Sequence, residues 1–126
     1  MKKPALLPAA LLLLLGIFWM SAASSNQTPF SVQVRTPTEN KSYKTYAAVN
    51  GSLFGGLVRL QQANPNFNFT YTPNDDYGPF LQNVNGLAGD SSHYWQLLSG
   101  DTPLNVGMGC YLPNANEVIT LKYTKF

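Results

Sequence analysis

Tyr94-Trp95-Gln96-Leu97-Leu98-Ser99-Gly100-Asp101-Thr102-Pro103-Leu104 is the stretch whose reading decides the fold. A large aromatic, an amide and two leucines run into Gly-Asp-Thr-Pro. This pattern predicts a strand that delivers an apolar ledge, with one polar handle, to a turn at the rim of a sheet. Such a ledge suits a flat ligand of mixed polarity, and it equally suits a core, where large aromatics are on average buried.

Working outward, the same period-2 alternation recurs on both sides. Phe30, Val32 and Val34 alternate with Ser31, Gln33 and Arg35, and Tyr43 to Val49 forms a second, less regular strand. Phe67, Phe69 and Tyr71 alternate with Asn68, Thr70 and Thr72 in a third strand with a strongly aromatic face. Pro73-Asn74-Asp75-Asp76 reads as a turn. Phe80 to Val84 is a further strand ending at Asn85-Gly86, a dipeptide that favours a tight turn with positive φ. On the C-terminal side, Asn105 to Leu112 is expected as a strand weakened by Gly107 and Gly109, and Ile119, Leu121 and Tyr123 mark a last one. One segment has helical spacing: Leu53, Phe54, Leu57 and Leu60, opened by Ser52 as cap and stopped by Asn64-Pro65. Gly55 and Gly56 inside it cost on the order of 1 kcal/mol each relative to alanine, which points to a close approach of that helix to the sheet. The order β-β-α followed by several strands predicts an α+β domain, a mixed sheet packed on one α-helix.

The start of the chain is expected to lie outside this fold. Lys2 and Lys3 precede an apolar run to Met20, and Ser21-Ala22-Ala23 offers small residues for a signal peptidase, so residues 1–23 read as a signal peptide and 24–126 as the mature domain. An uncleaved anchor is the alternative, the run being slightly short of a membrane span of about 20 residues. Lys2 and Lys3 also account for the whole excess of eight basic over six acidic residues. The mature part is neutral with scattered basic residues, which argues against a nucleic-acid partner. Four Asn-x-Ser/Thr acceptors, at Asn26, Asn40, Asn50 and Asn68, fit a secreted, extracellular glycoprotein with no membrane attachment after cleavage. Asn68 must face solvent to be used. Cys110 is the single cysteine, so no intrachain disulfide is available, and its apolar neighbourhood predicts a buried thiol.

Asn50-Gly51-Ser52-Leu53, Asn64-Pro65-Asn66-Phe67-Asn68-Phe69, Tyr77-Gly78-Pro79-Phe80-Leu81, Val84-Asn85-Gly86-Leu87, Tyr94 through Gly100 and Thr102-Pro103-Leu104, followed by Gly107 and Tyr111, together resemble the C-terminal β-domain of the cobalamin carriers: transcobalamin, gastric intrinsic factor and haptocorrin. The resemblance covers essentially the whole mature chain. It implies a β-grasp-like fold and an extracellular role in cobalamin binding or transport, with cobalamin held as ligand rather than as catalytic cofactor. It also implies two contact segments. One is Asp76, Tyr77, Gly78, Pro79, Phe80 and Leu81; the other is Trp95, Gln96, Leu97, Leu98, Ser99, Gly100, Asp101, Thr102, Pro103 and Leu104. A corrin is a broad disc with methyl-bearing faces and a fringe of amides, so it needs apolar ledges and a few amide and backbone partners.

The chain departs from the pattern at several points. These residues include neither the helical α-domain nor the histidine it contributes to cobalt in transcobalamin. Tyr77 stands where tryptophan is usual, and Gly109-Cys110 where Ala-Asp is common. Implied partners are therefore cobalamin and either a receptor or a separate α-domain-like protein. A secreted interaction module of the same fold that has lost the vitamin is the alternative. His93, the single histidine, reads as a solvated loop residue before it reads as a cobalt ligand. Asp75-Asp76 reads as a solvated turn, with no histidine or lysine at motif spacing beside it, so no enzymatic activity and no metal site are expected.

Overall fold

The computed structural model describes residues 27–76 and 78–126. The expected signal peptide, Asn26 and Tyr77 lie outside the described residues.

Strand β1 (Gln27–Arg35) and strand β2 (Asn40–Ala48) form an antiparallel hairpin. Helix α1 (Leu53–Ala63) follows, then β3 (Phe69–Asn74), β4 (Gly78–Val84), β5 (Leu87–Ala88), β6 (His93–Ser99), β7 (Thr102–Pro103) and β8 (Val118–Lys125). Five strands make a mixed sheet in the order β2-β1-β8-β6-β7, and its single parallel pairing is β1 with β8. The first and last strands thus lie side by side at the centre. The class is α+β, as expected, but the strands divide into two sheets. β3, β4 and β5 form a separate antiparallel sheet, with a register shift between Thr70 and Tyr71.

The helix begins where the sequence says it should. Ser52 Oγ accepts the Gly55 N–H (3.4 Å), one of the first-turn donors that have no partner within the helix. Leu53, Leu57 and Leu60 are buried against Phe30, Val32, Val34, Ile119 and Leu121 of the sheet. Of the two helical glycines only Gly56 is required by close approach: a Cβ there would sit 2.5 Å from Phe30 Cζ, whereas at Gly55 the nearest group is the Arg59 guanidinium at 3.7 Å. The Thr45 hydroxyl donates to Gly56 C=O (3.0 Å) and fixes the helix over β2. Beneath the helix end Phe67 and Phe69 are buried, and Phe67 meets Tyr43 edge-on at 5.2 Å. Asn85 (φ 52°) and Gly86 (φ 87°) give the β4–β5 hairpin its tight turn.

The segment 105–112 is not a strand. Its carbonyls are committed elsewhere: Met108 C=O accepts Phe54 N–H (2.8 Å) and Tyr111 C=O accepts Leu53 N–H (2.7 Å), so the loop satisfies the start of α1 instead of pairing in a sheet. Gly109 is needed for this packing, since a Cβ would lie 2.9 Å from Pro79 Cδ. Cys110 consequently sits on an exposed turn rather than in the core that its neighbours suggested. His93 is the first residue of β6 rather than a loop residue, half-buried and stacked on Tyr123 at 4.9 Å. Asn68 precedes β3 and is exposed. Among the described residues no helix is long and apolar enough to cross a membrane.

Candidate functional site

The site is built on the free edge of β6. This strand is paired with β8 along its whole length, but on its other side β7 covers only Leu98 and Ser99. Phe126 N–H donates to Ser92 C=O and Leu104 N–H to Leu97 C=O (2.9 Å each). In an antiparallel ladder the bonding direction alternates, so the backbone N–H and C=O of Trp95 point to the same side as Leu97 C=O, beyond the end of β7.

A cavity of about 280 Å³ opens there. Pro79, Phe80 and Leu81 of β4 form one wall, and Tyr94 through Leu97 of β6 form the floor. Pro103 and Leu104 with the loop Asn105 to Met108 form the other wall. The rim is apolar and accessible: Phe80 and Val106 are each 42% exposed. Tyr94 stacks on Phe126 at 4.9 Å, and Gln96 is oriented by the Thr124 hydroxyl, which donates to its Oε1 (3.3 Å). Trp95 is both core residue and cavity floor. It is only 4% exposed, packs against Tyr123 at 5.1 Å, and its indole N–H donates to Leu87 C=O (2.9 Å), tying the two sheets together. It therefore lends the cavity rigidity more than area, and the exposed area comes from the rim.

Glu117 holds the loop wall in place. Its Oε2 accepts the hydroxyls of Ser99 and Tyr111, and its Oε1 accepts Asn114 N–H (2.7 Å), joining the end of β6 to the later part of the segment that follows Leu104. Burial pushes this carboxyl up, but the hydrogen bonds from Asn114, Ser99 and Tyr111 outweigh it and hold it below the usual carboxylate range. The same bond to Glu117, with burial, raises the Tyr111 phenol.

Of the residues singled out in the sequence, the structure brings Pro79, Phe80, Leu81, Trp95, Gln96, Leu97, Pro103 and Leu104 around this one cavity. Gly78 lines a neighbouring groove with Phe54, Tyr71 and Pro73, separated from the first by Pro79. Leu98 is buried without lining the cavity. Ser99 is engaged with Glu117. Gly100 (φ 59°) and Asp101 form the turn to Thr102, where Asp101 lies 3.9 Å from Arg35 in an exposed ion pair. Asp76 is exposed in the β3–β4 turn. Neither His93 nor Asp75 borders the cavity. Asn105, Val106, Gly107 and Met108 join the site although the sequence did not single them out as contact residues, because residues 105–112 read as a strand. Gly107 and Gly109 were the available signal that the segment bends.

A family model described as a domain of unknown function, DUF4430, matches residues 56–125, more than half of the chain. The chain belongs to the DUF4430 family. Homologues of this DUF4430 chain include human cobalamin binding intrinsic factor, 37% identical over 86 residues that make up 62% of this chain and 20% of that protein. Human transcobalamin-1 is 31% identical over 91 residues, 69% of this chain and 21% of that one. The chain thus spans about a fifth of the length of the curated relatives it matches. Among solved structures, haptocorrin in complex with Cbi superposes with a TM-score of 0.72 at 23% identity, over 79% of this chain and 25% of that chain. A protein from Ruminococcus gnavus ATCC 29149 superposes over the same share of this chain, and over 98% of its own, with a TM-score of 0.55 at 12% identity. The DUF4430 fold is therefore shared with haptocorrin, and its α+β assignment stands on both the strands themselves and this likeness.

Proposed function

We propose that this DUF4430 chain is a secreted cobalamin-binding protein that offers one wall of a corrinoid site. The observation that carries the reading is the open apolar cavity at the free edge of β6, lined by the Trp95 to Leu97 and Pro103-Leu104 segments, in a chain homologous to cobalamin binding intrinsic factor and transcobalamin-1. The cavity chemistry fits the ligand. Phe80, Leu97, Leu104 and Val106 offer apolar surface to the methyl-bearing face, and Gln96 with the Trp95 backbone offers hydrogen bonds to the amide fringe. Asp76, Gly78 and the Ser99 to Thr102 turn flank this contact surface, and Leu98 supports it from below. The relatives are named for binding, and the role read for this chain is likewise binding.

An open wall also sets an expectation for strength. Picomolar binding needs about 16 kcal/mol, and a ligand with one face in water forgoes much of the burial that supplies it. The chain alone therefore binds more weakly than a closed two-domain clamp, and an α-domain-like partner would sit on the open side. Gel filtration of the purified mature protein with hydroxocobalamin tests the proposal. Co-elution of corrin absorbance with protein is expected at tens of micromolar. Complete separation of the two at that concentration would end it.

A further inference from the structure

The acceptor asparagines sort by position in the fold. Each sheet ends in a full strand on one side and in a two-residue strand on the other. β2, with nine residues, ends the five-stranded sheet, and β3, with six, ends the second. On the opposite sides β7 and β5 have two residues each and leave the rest of β6 and β4 unpaired around the cavity. A long unpaired edge offers a row of backbone donors and acceptors on which another chain can add a strand.

The three described acceptors stand at the ends of the long edges. Asn40 is the first residue of β2, and Asn50 lies two residues past its end, in a turn with φ 60°. Asn68 immediately precedes β3, its backbone held at the β4–β5 turn by Asn85 through N–H to Oδ1 (3.0 Å) and C=O to N–H (2.8 Å). All three are exposed, as are the hydroxyl residues Ser42 and Thr70; Ser52 is half-buried as the cap of α1. None of these residues lines the cavity, which lies towards the opposite edge of the larger sheet.

We propose that Asn40, Asn50 and Asn68 carry N-linked glycans that guard β2 and β3 against strand addition and leave the cavity side bare. The inference rests on the secreted reading. The co-reactant is a lipid-pyrophosphate-linked oligosaccharide. The bond from sugar C1 to the pyrophosphate oxygen breaks, a bond from C1 to the asparagine Nδ2 forms, and the displaced amide proton leaves with the lipid pyrophosphate. Transfer acts on the extended chain as it emerges, so Ser52 is free to serve the acceptor first and cap the helix afterwards. A bulky hydrated glycan at a strand end then prevents a second chain from lying along it. Lys41 and Lys44, exposed on β2, discourage pairing in the same direction by charge.

The experiment is expression of the full chain from Met1 in cultured mammalian cells, with the medium collected and treated with peptide N-glycosidase under native conditions. The expected result is stepwise loss of mass, with Asn40, Asn50 and Asn68 each converted to Asp. The glycan-free protein should then sediment as dimers or larger species at a concentration where the glycosylated form is monomeric, with an unchanged melting temperature. Protein in the medium with these three asparagines unmodified would overturn the inference and leave the secreted reading standing. Retention in the cell without modification would overturn both. A glycan-free form that stays monomeric would overturn the guarding role, and so would association accompanied by a lowered melting temperature, which would mean unfolding rather than edge pairing.

Discussion

Under the helix, Phe30, Val32, Leu57, Ile119 and Leu121 are sealed by the chain's own elements; at the other edge of the same sheet, Phe80, Leu97, Leu104 and Val106 present comparable side chains to an open cavity. The composition of the two regions is similar, and what differs is coverage. α1 lies over the β1–β2 side close enough that Gly56 has no room for a Cβ beside Phe30. No element of the described chain lies over the mouth between β4, β6 and the 103–108 segment. Trp95 is where the two regions meet, with its ring in the core, its indole N–H on Leu87 and its backbone at the free edge. Burial of apolar surface stabilises the first region already in the free protein, while in the second the same term is available to a ligand.

That contrast can be broken or sharpened by substitution. Trp95→Ala should have the largest effect, because it removes a buried aromatic and the bond to Leu87. About 3–5 kcal/mol of stability should be lost in urea unfolding, together with cobalamin binding. A stable, non-binding Trp95→Ala would show that the residue belongs to the cavity alone. Leu57→Ala, deep under the helix, should lose about 3 kcal/mol of stability and leave the affinity of the folded fraction unchanged in a dialysis titration. Leu104→Ala should do the reverse. Its half-buried side chain contributes less than about 1 kcal/mol to folding, yet its loss from the wall should weaken cobalamin binding about tenfold, equivalent to about 1.4 kcal/mol.

Glu117 links the cavity wall to pH. Its carboxyl is held below the ordinary value of 4.5, so the folded state favours the charged form. The stabilisation it brings is fully present above the ordinary value and is lost as pH falls through the lower folded value. Wild type should therefore lose order in residues 105–116 in strong acid, read as faster amide exchange there, and Glu117→Gln should flatten that dependence. The smallest effect is expected from Cys110→Ser. An exposed thiol on a turn should change stability by no more than about 0.5 kcal/mol, and the native wild-type protein should react readily with a maleimide.

Local signals made most of the architecture legible. Ser52 as cap, Asn64-Pro65 as stop, the alternation in β1 and β8, and Asn85-Gly86 as a turn each act through their own backbone and neighbours, and each stands where the sequence put it. The misread segment is governed from a distance. Residues 105–112 have strand-like spacing, but the N–H groups of Leu53 and Phe54, more than fifty positions earlier, take their carbonyls, and Cys110 is turned outward as a result. The division into two sheets was hidden for the same reason, since pairing partners are chosen across the chain. For the site, Trp95 to Leu97 and Pro103-Leu104 were readable because one strand and its turn carry them. Val106 to Met108 were not, because a loop brings them back only after it has closed the helix.

The central claim, that the wall at the free edge of β6 is the corrinoid contact surface, is tested most directly by amide chemical-shift mapping of the mature protein titrated with hydroxocobalamin. Shifts should saturate together and concentrate on Phe80, Leu81, Trp95, Gln96, Leu97, Leu104 and Val106, with Val32, Leu57 and Ile119 unmoved. Saturable shifts centred on β2 and α1, or none at all, would contradict the account.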